Sequence, residues 1–188
     1  MLILVMKKGI SVLSLFYGHP TLAKRNEVWK KLEQLGRDIN GRWLCIGDFN
    51  QVLDFEDKLT IKYTGIQGSQ ELRSCLSNLS LLPIESKGLS YTWKNKRPGF
   101  EFVMEKLGRV FANWEWCNAY PHCLIKNLPI MCSDHGPILL DTTWRPPFGQ
   151  RPFRFEWMWT LDITPRLFWH NTRSLEHQLS GFLCVQVV

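Results

Sequence analysis

Two short polar clusters in this chain hold residue types that could do chemistry together. The first is Gly47-Asp48-Phe49-Asn50, at the end of the apolar run Leu44-Cys45-Ile46. The second is Ser133-Asp134-His135-Gly136-Pro137, at the start of another run, Ile138-Leu139-Leu140. A carboxylate can hold or deprotonate a water, a neutral amide can orient that water without charge repulsion, and an imidazole can donate a proton as charge develops. Such a set suits attack on a phosphate ester. Alone, Gly-Asp-Phe-Asn reads as an Asp/Asn turn leaving a buried strand, and one histidine as a hydrogen-bonded structural residue. Two such clusters, each at the tip of an apolar run, shift the balance toward a shared site.

Positioning these groups falls to the elements around them. Residues 44–50 read as a buried strand, whose alternation would send Asp48 and Asn50 to one side and Phe49 back into the core. Residues 2–6 and 10–17 read as a β-hairpin turning at Lys7-Lys8-Gly9. Tyr17 closes its second strand, with a hydroxyl able to reach the polar tips or simply to pack with a local partner. Between Thr21 and Asn40, Val28, Leu32, Leu35 and Ile39 recur at helical spacing. Thr21 is a candidate cap and Gly41 a candidate stop. Trp29 widens the apolar stripe, and Lys24, Arg25, Lys30, Lys31 and Arg37 read as a solvated face before a DNA contact.

Further along, residues 51–67 read as a loop and 69–82 as a second helix stopped by Pro83. Residues 90–94 form a candidate strand in which Trp93 either packs or stacks on a base. Another strand is expected over 101–110 with a bend at Gly108. A helical turn follows over 111–116, then a strand at 123–125 leading to Asp134-His135. From Arg145 to Pro152 proline and glycine accumulate as in a linker, so residues 1–145 read as a domain and 146–188 as linker plus an aromatic and weakly helical tail.

Composition fits this outline. With 188 residues, 45% hydrophobic and 21% charged, the chain can bury a real core and is not compositionally disordered. Its formal charge of +6 suits a polyanionic partner, although an ordinary basic protein looks the same. The six cysteines are scattered without zinc-ligand spacing, and read as reduced, mostly buried thiols of an intracellular protein. Met1 to Met6 is apolar, but Lys7 and Lys8 interrupt it short of a signal or membrane segment.

In order, Gly47-Asp48-Phe49-Asn50, Tyr91-Thr92-Trp93 and Ser133-Asp134-His135 resemble the endonuclease/exonuclease/phosphatase superfamily. Phe16-Tyr17-Gly18-His19-Pro20 with its Trp-bearing helix, and Phe111 through Trp116, narrow the resemblance to the endonuclease domain of plant LINE-type (non-LTR) retroelements. It covers roughly residues 9 to 145. It implies an α+β chain, an incomplete four-layer α/β-sandwich of two packed, mainly antiparallel sheets flanked by helices. It also implies hydrolysis of a DNA phosphodiester with Mg²⁺ or Mn²⁺, in the nucleus, with no membrane and no small-molecule cofactor. In those terms Asp48 positions or deprotonates a water, Asn50 fixes its approach, His135 donates to a non-bridging oxygen, Tyr17 holds the phosphate and Asp134 serves the metal.

Three departures from the family pattern point to a degenerate or N-terminally truncated enzyme of weak or no activity. The asparagine and metal-binding glutamate expected ahead of the tyrosine motif have no counterpart before Tyr17. Leu107-Gly108-Arg109 stands where Leu-Asp-Arg is expected, so the carboxylate that would orient His135 is lacking. Pro83 stands in place of an aspartate. Two functions follow from this: a LINE-type DNA phosphodiesterase, or a non-catalytic retroelement remnant that binds nucleic acid. The missing N-terminal segment would also remove strands, leaving sheet edges and apolar faces without partners. Phosphomonoesterases acting on inositol phosphates share the same tips, and only the LINE-like flanks favour DNA.

Overall fold

The computed structural model describes residues 2–8, 11–62, 65–145 and 182–185, with only the backbone described for the first and last segments. One strand organises it. Strand β3 (Arg42–Asp48) is buried from Trp43 onward, because its side chains supply two cores at once. Trp43, Cys45 and, just past the strand, Phe49 enter one core with Val28, Trp29, Leu32, Leu72 and Cys75. Leu44 and Ile46 enter the other with Val110, Ala112, Ile125, Ile138 and Leu140. A strand buried on both faces reads as a continuous apolar run, as this one does.

Around it, β1 (Leu2–Lys8) and β2 (Ser11–Tyr17) form the expected antiparallel hairpin, and β2 pairs with β3 in parallel. The parallel step requires a crossover. Helix α1 (Leu22–Arg37) provides it, laying Val28, Trp29 and Leu32 on the sheet beside α2 (Ser69–Asn78). Strands β9 (Gly108–Ala112) and β5 (Leu82–Pro83) complete a five-stranded sheet in the order β1-β2-β3-β9-β5. A four-stranded sheet of β12 (Phe182–Val185), β11 (Ile138–Asp141), β10 (Leu124–Asn127) and β6 (Ser86–Gly88) packs on its other face. A third sheet joins β4 (Lys58–Thr60), β8 (Val103–Glu105) and β7 (Trp93–Lys94).

The result is α+β: helices, sheet and sheet in layers, with mostly antiparallel pairing. The described residues supply three of the four expected layers. The proline-rich linker from Arg145 and the weakly helical stretch beyond Pro165 lie outside the described residues, apart from Arg145 itself, while Phe182–Val185 pairs with β11.

Several elements differ from the sequence reading. Helix α1 stops at Arg37, ahead of Gly41, and Thr21 makes no side-chain cap. Instead the Arg25 guanidinium bonds the carbonyls of His19 and Pro20 and fixes the entry. The loop over 51–67 contains a 3₁₀ turn at Phe55–Asp57, closed by a reciprocal Asp54 and Asp57 capping box, and then β4. Helix α2 ends at Asn78 because Ser80 takes a left-handed φ of 52°. Leu82 and Pro83 are not helical; they form an edge strand, where a proline's missing N–H costs no ladder bond. Along that edge Pro83 pairs with Phe111, level with Cys45 and three positions short of Asp48.

The expected strand over 101–110 is two, β8 and β9, in different sheets. Between them the Leu107 and Gly108 N–H groups both donate to Thr92 Oγ1, at 3.0 and 2.7 Å, which turns the chain out of one sheet into the other. Phe111 and Ala112 are strand, and helix α3 (Trp114–Ala119) starts at Asn113, whose side chain accepts from the Trp116 N–H. Of the described cysteines only Cys45 and Cys75 are buried, Cys117 and Cys123 are partly so, and Cys132 is exposed.

Candidate active site

Asp48 is the last residue of β3 and is 1% exposed. The next two residues do not continue the strand. Phe49 turns inward and stacks on Phe16 at 4.4 Å between ring centres, and Asn50 adopts a left-handed φ of 51°, which asparagine tolerates better than most residues. That turn, not strand alternation, brings the two polar groups together. Asn50 clamps Asp48 twice: its backbone N–H donates to Oδ1 at 2.8 Å and its side-chain amide to Oδ2 at 2.8 Å. The same amide nitrogen reaches the Gly18 carbonyl at 3.2 Å. A side chain at Gly18 would not fit, since an added Cβ would lie 2.4 Å from the Phe49 carbonyl oxygen.

Asp134 and His135 approach from the loop between β10 and β11. This loop is tied to β7, where the Trp93 indole N–H donates to Asp134 Oδ2 at 3.1 Å and the Lys94 N–H to the Asp134 carbonyl at 3.0 Å. Trp93 and His135 also form a β-bridge, and the Gly136 N–H donates to the Thr92 carbonyl. Ser133 Oγ donates to Asp134 Oδ1 and accepts from the His135 N–H, both at 3.2 Å. Trp93 is therefore a clamp on the second cluster rather than only a packing or stacking residue.

The two clusters, 87 positions apart between Asp48 and His135 (135 − 48), meet in space. His135 Nε2 lies 4.0 Å from Asp48 Oδ2, within ion-pair range when protonated and beyond hydrogen-bond length. Tyr17 stands opposite Asp48 in the β2–β3 register, and Gly108 opposite it on the other side in β3–β9. The Tyr17 hydroxyl makes no hydrogen bond to another described residue. The structure thus brings Asp48, Asn50, Asp134 and His135 into one cluster, with Tyr17 at the same level of the sheet.

Burial pushes the Asp48 carboxyl above the ordinary carboxylate range and Asp134 adds to this, while the Asn50 N–H, His135 and Arg25 hold the rise in check. Asp134 goes the other way. Burial works against its charge, but the Trp93 indole, its own backbone, His135 and Ser133 together hold it below the ordinary range. The environment therefore separates the two carboxyls, one inclined to take a proton and one to stay ionised.

These donors do not by themselves make a metal centre. Among the described residues no three His, Cys, Asp or Glu side chains stand close enough to hold an ion. Both Asp48 oxygens already accept from Asn50.

Sequence reasoning missed three partners: Trp93 for Asp134, Thr92 for the Leu107–Gly108 turn, and a largely covered Arg109–Asp57 pair. The Tyr91-Thr92-Trp93 motif was the available signal for the first two. Arg109 and Asp57 are far apart in sequence and gave none.

The architecture has the endonuclease/exonuclease/phosphatase fold. Among solved structures the chain is similar to the 3′ phosphatase NExo from Neisseria bound to product DNA hairpin, with a TM-score of 0.58 and 15% identity over 76% of this chain and 65% of that one. It is similar also to the endonuclease domain of TRAS1, a telomere-specific non-LTR retrotransposon, with a TM-score of 0.52 and 14% identity over 77% of this chain and 64% of that one. The chain thus spans just under two thirds of those structures. No family model and no curated protein matches the sequence. No helix among the described residues is long and apolar enough to cross a membrane.

Proposed function

We propose that this chain is a slow phosphodiesterase module of the plant LINE-type DNA-endonuclease kind, acting on DNA in the nucleus. One observation carries the reading: the buried Asp48 carboxylate and the His135 imidazole, from distant strand tips, face each other at 4.0 Å. In this reading a water attacks the phosphorus of a phosphodiester, the P–O bond to one sugar oxygen breaks, and the departing alkoxide takes a proton from solvent water. Asp48 orients that water and takes its proton, a role suited to a carboxyl whose proton affinity burial has raised. Asn50 keeps both Asp48 oxygens in a fixed plane. His135 donates to a non-bridging oxygen as negative charge grows, and Tyr17 offers its hydroxyl to the phosphate. Asp134, pinned by Trp93, fixes the backbone that carries the imidazole.

Mg²⁺ or Mn²⁺, with Asp134 as its nearest ligand candidate, enters from the sequence resemblance alone. The steps given to the chain's own residues do not pass through it. DNA as substrate rests on the same resemblance, supported by the DNA hairpin in the NExo complex.

Gly108 accounts for the slowness. It faces Asp48 in the sheet and carries no carboxylate to steer His135. An absent orienting partner costs on the order of 10²–10⁴-fold in rate. The same residue favours the second reading, a remnant that binds nucleic acid without cutting it. Nicking of supercoiled plasmid with Mg²⁺ or Mn²⁺ separates the two. Slow nicking abolished by Asp48→Ala is the expected result, and salt-dependent binding with no nicking at all would establish the remnant.

A further inference from the structure

Arg25 does not lie on the wet face of α1. Its guanidinium is half-buried, and Nε donates to the His19 carbonyl at 3.1 Å, Nη2 to the Pro20 carbonyl at 2.9 Å and Nη1 to Gln51 Oε1 at 2.8 Å. All three acceptors are uncharged. Among the described residues Arg25 forms no ion pair, and its charge is opposed by burial and supported only at longer range by Glu105 and Asp48. A guanidinium has five N–H donors, so two remain. A partly desolvated cation with no contacting counter-ion is costly, and a ligand anion would relieve that cost through charge-assisted hydrogen bonds.

The guanidinium stands in the wall of a cleft of about 380 Å³, which Asn50, Gln51, Lys58 and Glu105 also line. That volume is in the range of ligand sites. Gln51 gives the cleft a fixed wall: it is 1% exposed, and its amide nitrogen donates to the carbonyls of Val52 and Gln67, both at 2.8 Å. Lys58 is held 2.9 Å from Glu105 across β4 and β8. Asn50 belongs both to this cleft and to the Asp48 cluster, so a ligand in the cleft adjoins the candidate reaction centre.

We infer that the cleft is a subsite for a phosphodiester next to the one attacked, with Arg25 as its main contact and Lys58 as a second. The substrate class is then an oligonucleotide engaged through at least two phosphates, not a phosphomonoester. This rests on the phosphodiesterase reading above.

The test is anisotropy of fluorescein-labelled (dT)8 with the full chain in EDTA, titrated at several salt concentrations. Arg25→Gln should weaken binding about tenfold and flatten the log–log salt dependence by about 0.7, one single-strand phosphate contact. Arg25→Lys should weaken binding while keeping the slope, since charge remains but the fork is lost. Lys58→Gln should act like Arg25→Gln but less strongly. Unchanged binding in Arg25→Lys and Lys58→Gln, both folded by thermal melt, would overturn the subsite and leave the phosphodiesterase reading standing. Failure of the unaltered chain to bind (dT)8 at any salt would overturn both. Inositol hexakisphosphate bound in an Arg25-dependent way while (dT)8 is not would overturn the substrate class.

Discussion

Two aspartates, Asp48 at 1% exposure and Asp57 with its side chain at 12%, are treated in opposite ways. Asp57 is given a permanent cation: Arg109 pairs with it, and the N–H groups of Leu53 and Asp54 donate to the same oxygen, at 3.3 and 3.0 Å. Asp48 accepts hydrogen bonds from neutral amide donors, with the His135 imidazole at 4.0 Å and the Arg25 charge acting only at longer range. The Arg109 guanidinium and two backbone N–H groups hold the Asp57 carboxylate in place as a structural post. Burial, only partly offset by the Asn50 amide donors, leaves the Asp48 carboxyl above the ordinary carboxylate range. Side by side, they show that burial alone does not set a carboxyl's environment; the identity of its neighbours does.

That contrast can be broken by substitution. Asp48→Ala should lower any nicking rate by about 10²–10⁴-fold with little loss of stability, read from plasmid kinetics and a melt together. Arg109→Met should do the reverse, stranding Asp57 and costing about 3–5 kcal/mol in chemical denaturation. If both lost mainly stability, Asp48 would be a structural residue too. Joint replacement, Asp57→Leu with Arg109→Met, should recover much of the loss, because neither charge is then left buried.

A gentler perturbation sharpens the comparison through pH. The Asp48 carboxyl lies above the ordinary range of about 3.9, so activity should rise with pH through a limb set above that value. His135 lowers the Asp48 value, so His135→Gln should raise it further, measurable by carbon NMR of the carboxyl without turnover. The sign for folding is unfavourable at neutral pH. A carboxyl whose folded value exceeds its unfolded one aids folding only in acid, and that aid is lost as pH climbs through the folded value. Asp134, shifted downward, behaves oppositely: its contribution is present above the unfolded value and lost as pH falls through the folded one.

Gly108→Asp asks whether a third carboxylate speeds the site. An added Cβ would sit 2.9 Å from Ile138 Cδ1 and 3.2 Å from Thr92 Oγ1, so Ile138 must yield, at about 1–3 kcal/mol. A rate gain of tenfold or more at that stability cost would support the proposal that Gly108 limits turnover. The smallest effect belongs to a third aspartate. Asp54 pairs with Arg73 at 2.6 Å, but both are exposed, and Asp54→Asn should change stability by under about 1 kcal/mol.

The sequence disclosed whatever depended on local pattern. The Leu44–Asp48 strand, the α1 stripe through Val28, Trp29 and Leu32, and the hairpin ahead of them all follow from period and punctuation. What it concealed depended on partners far along the chain. The pairing of β4 with β8 converts a polar loop into strand, and Thr92 breaks the run from Glu101 to Val110 in two. Arg25 looked like one more solvated base because nothing nearby signals that Gln51 receives it. At the site, strand alternation led to the right neighbours for the wrong reason: Asn50 reaches Asp48 through a left-handed turn that few residue types accept.

Because successive side chains of β3 are wedged into separate interiors, the Asp48 end of the strand has no slack of its own. Thinning either interior, for instance at Leu32 or at Ile125, would shift the carboxyl against the imidazole before the chain comes apart. In such variants any nicking activity should accordingly fade at a lower temperature than tertiary structure does.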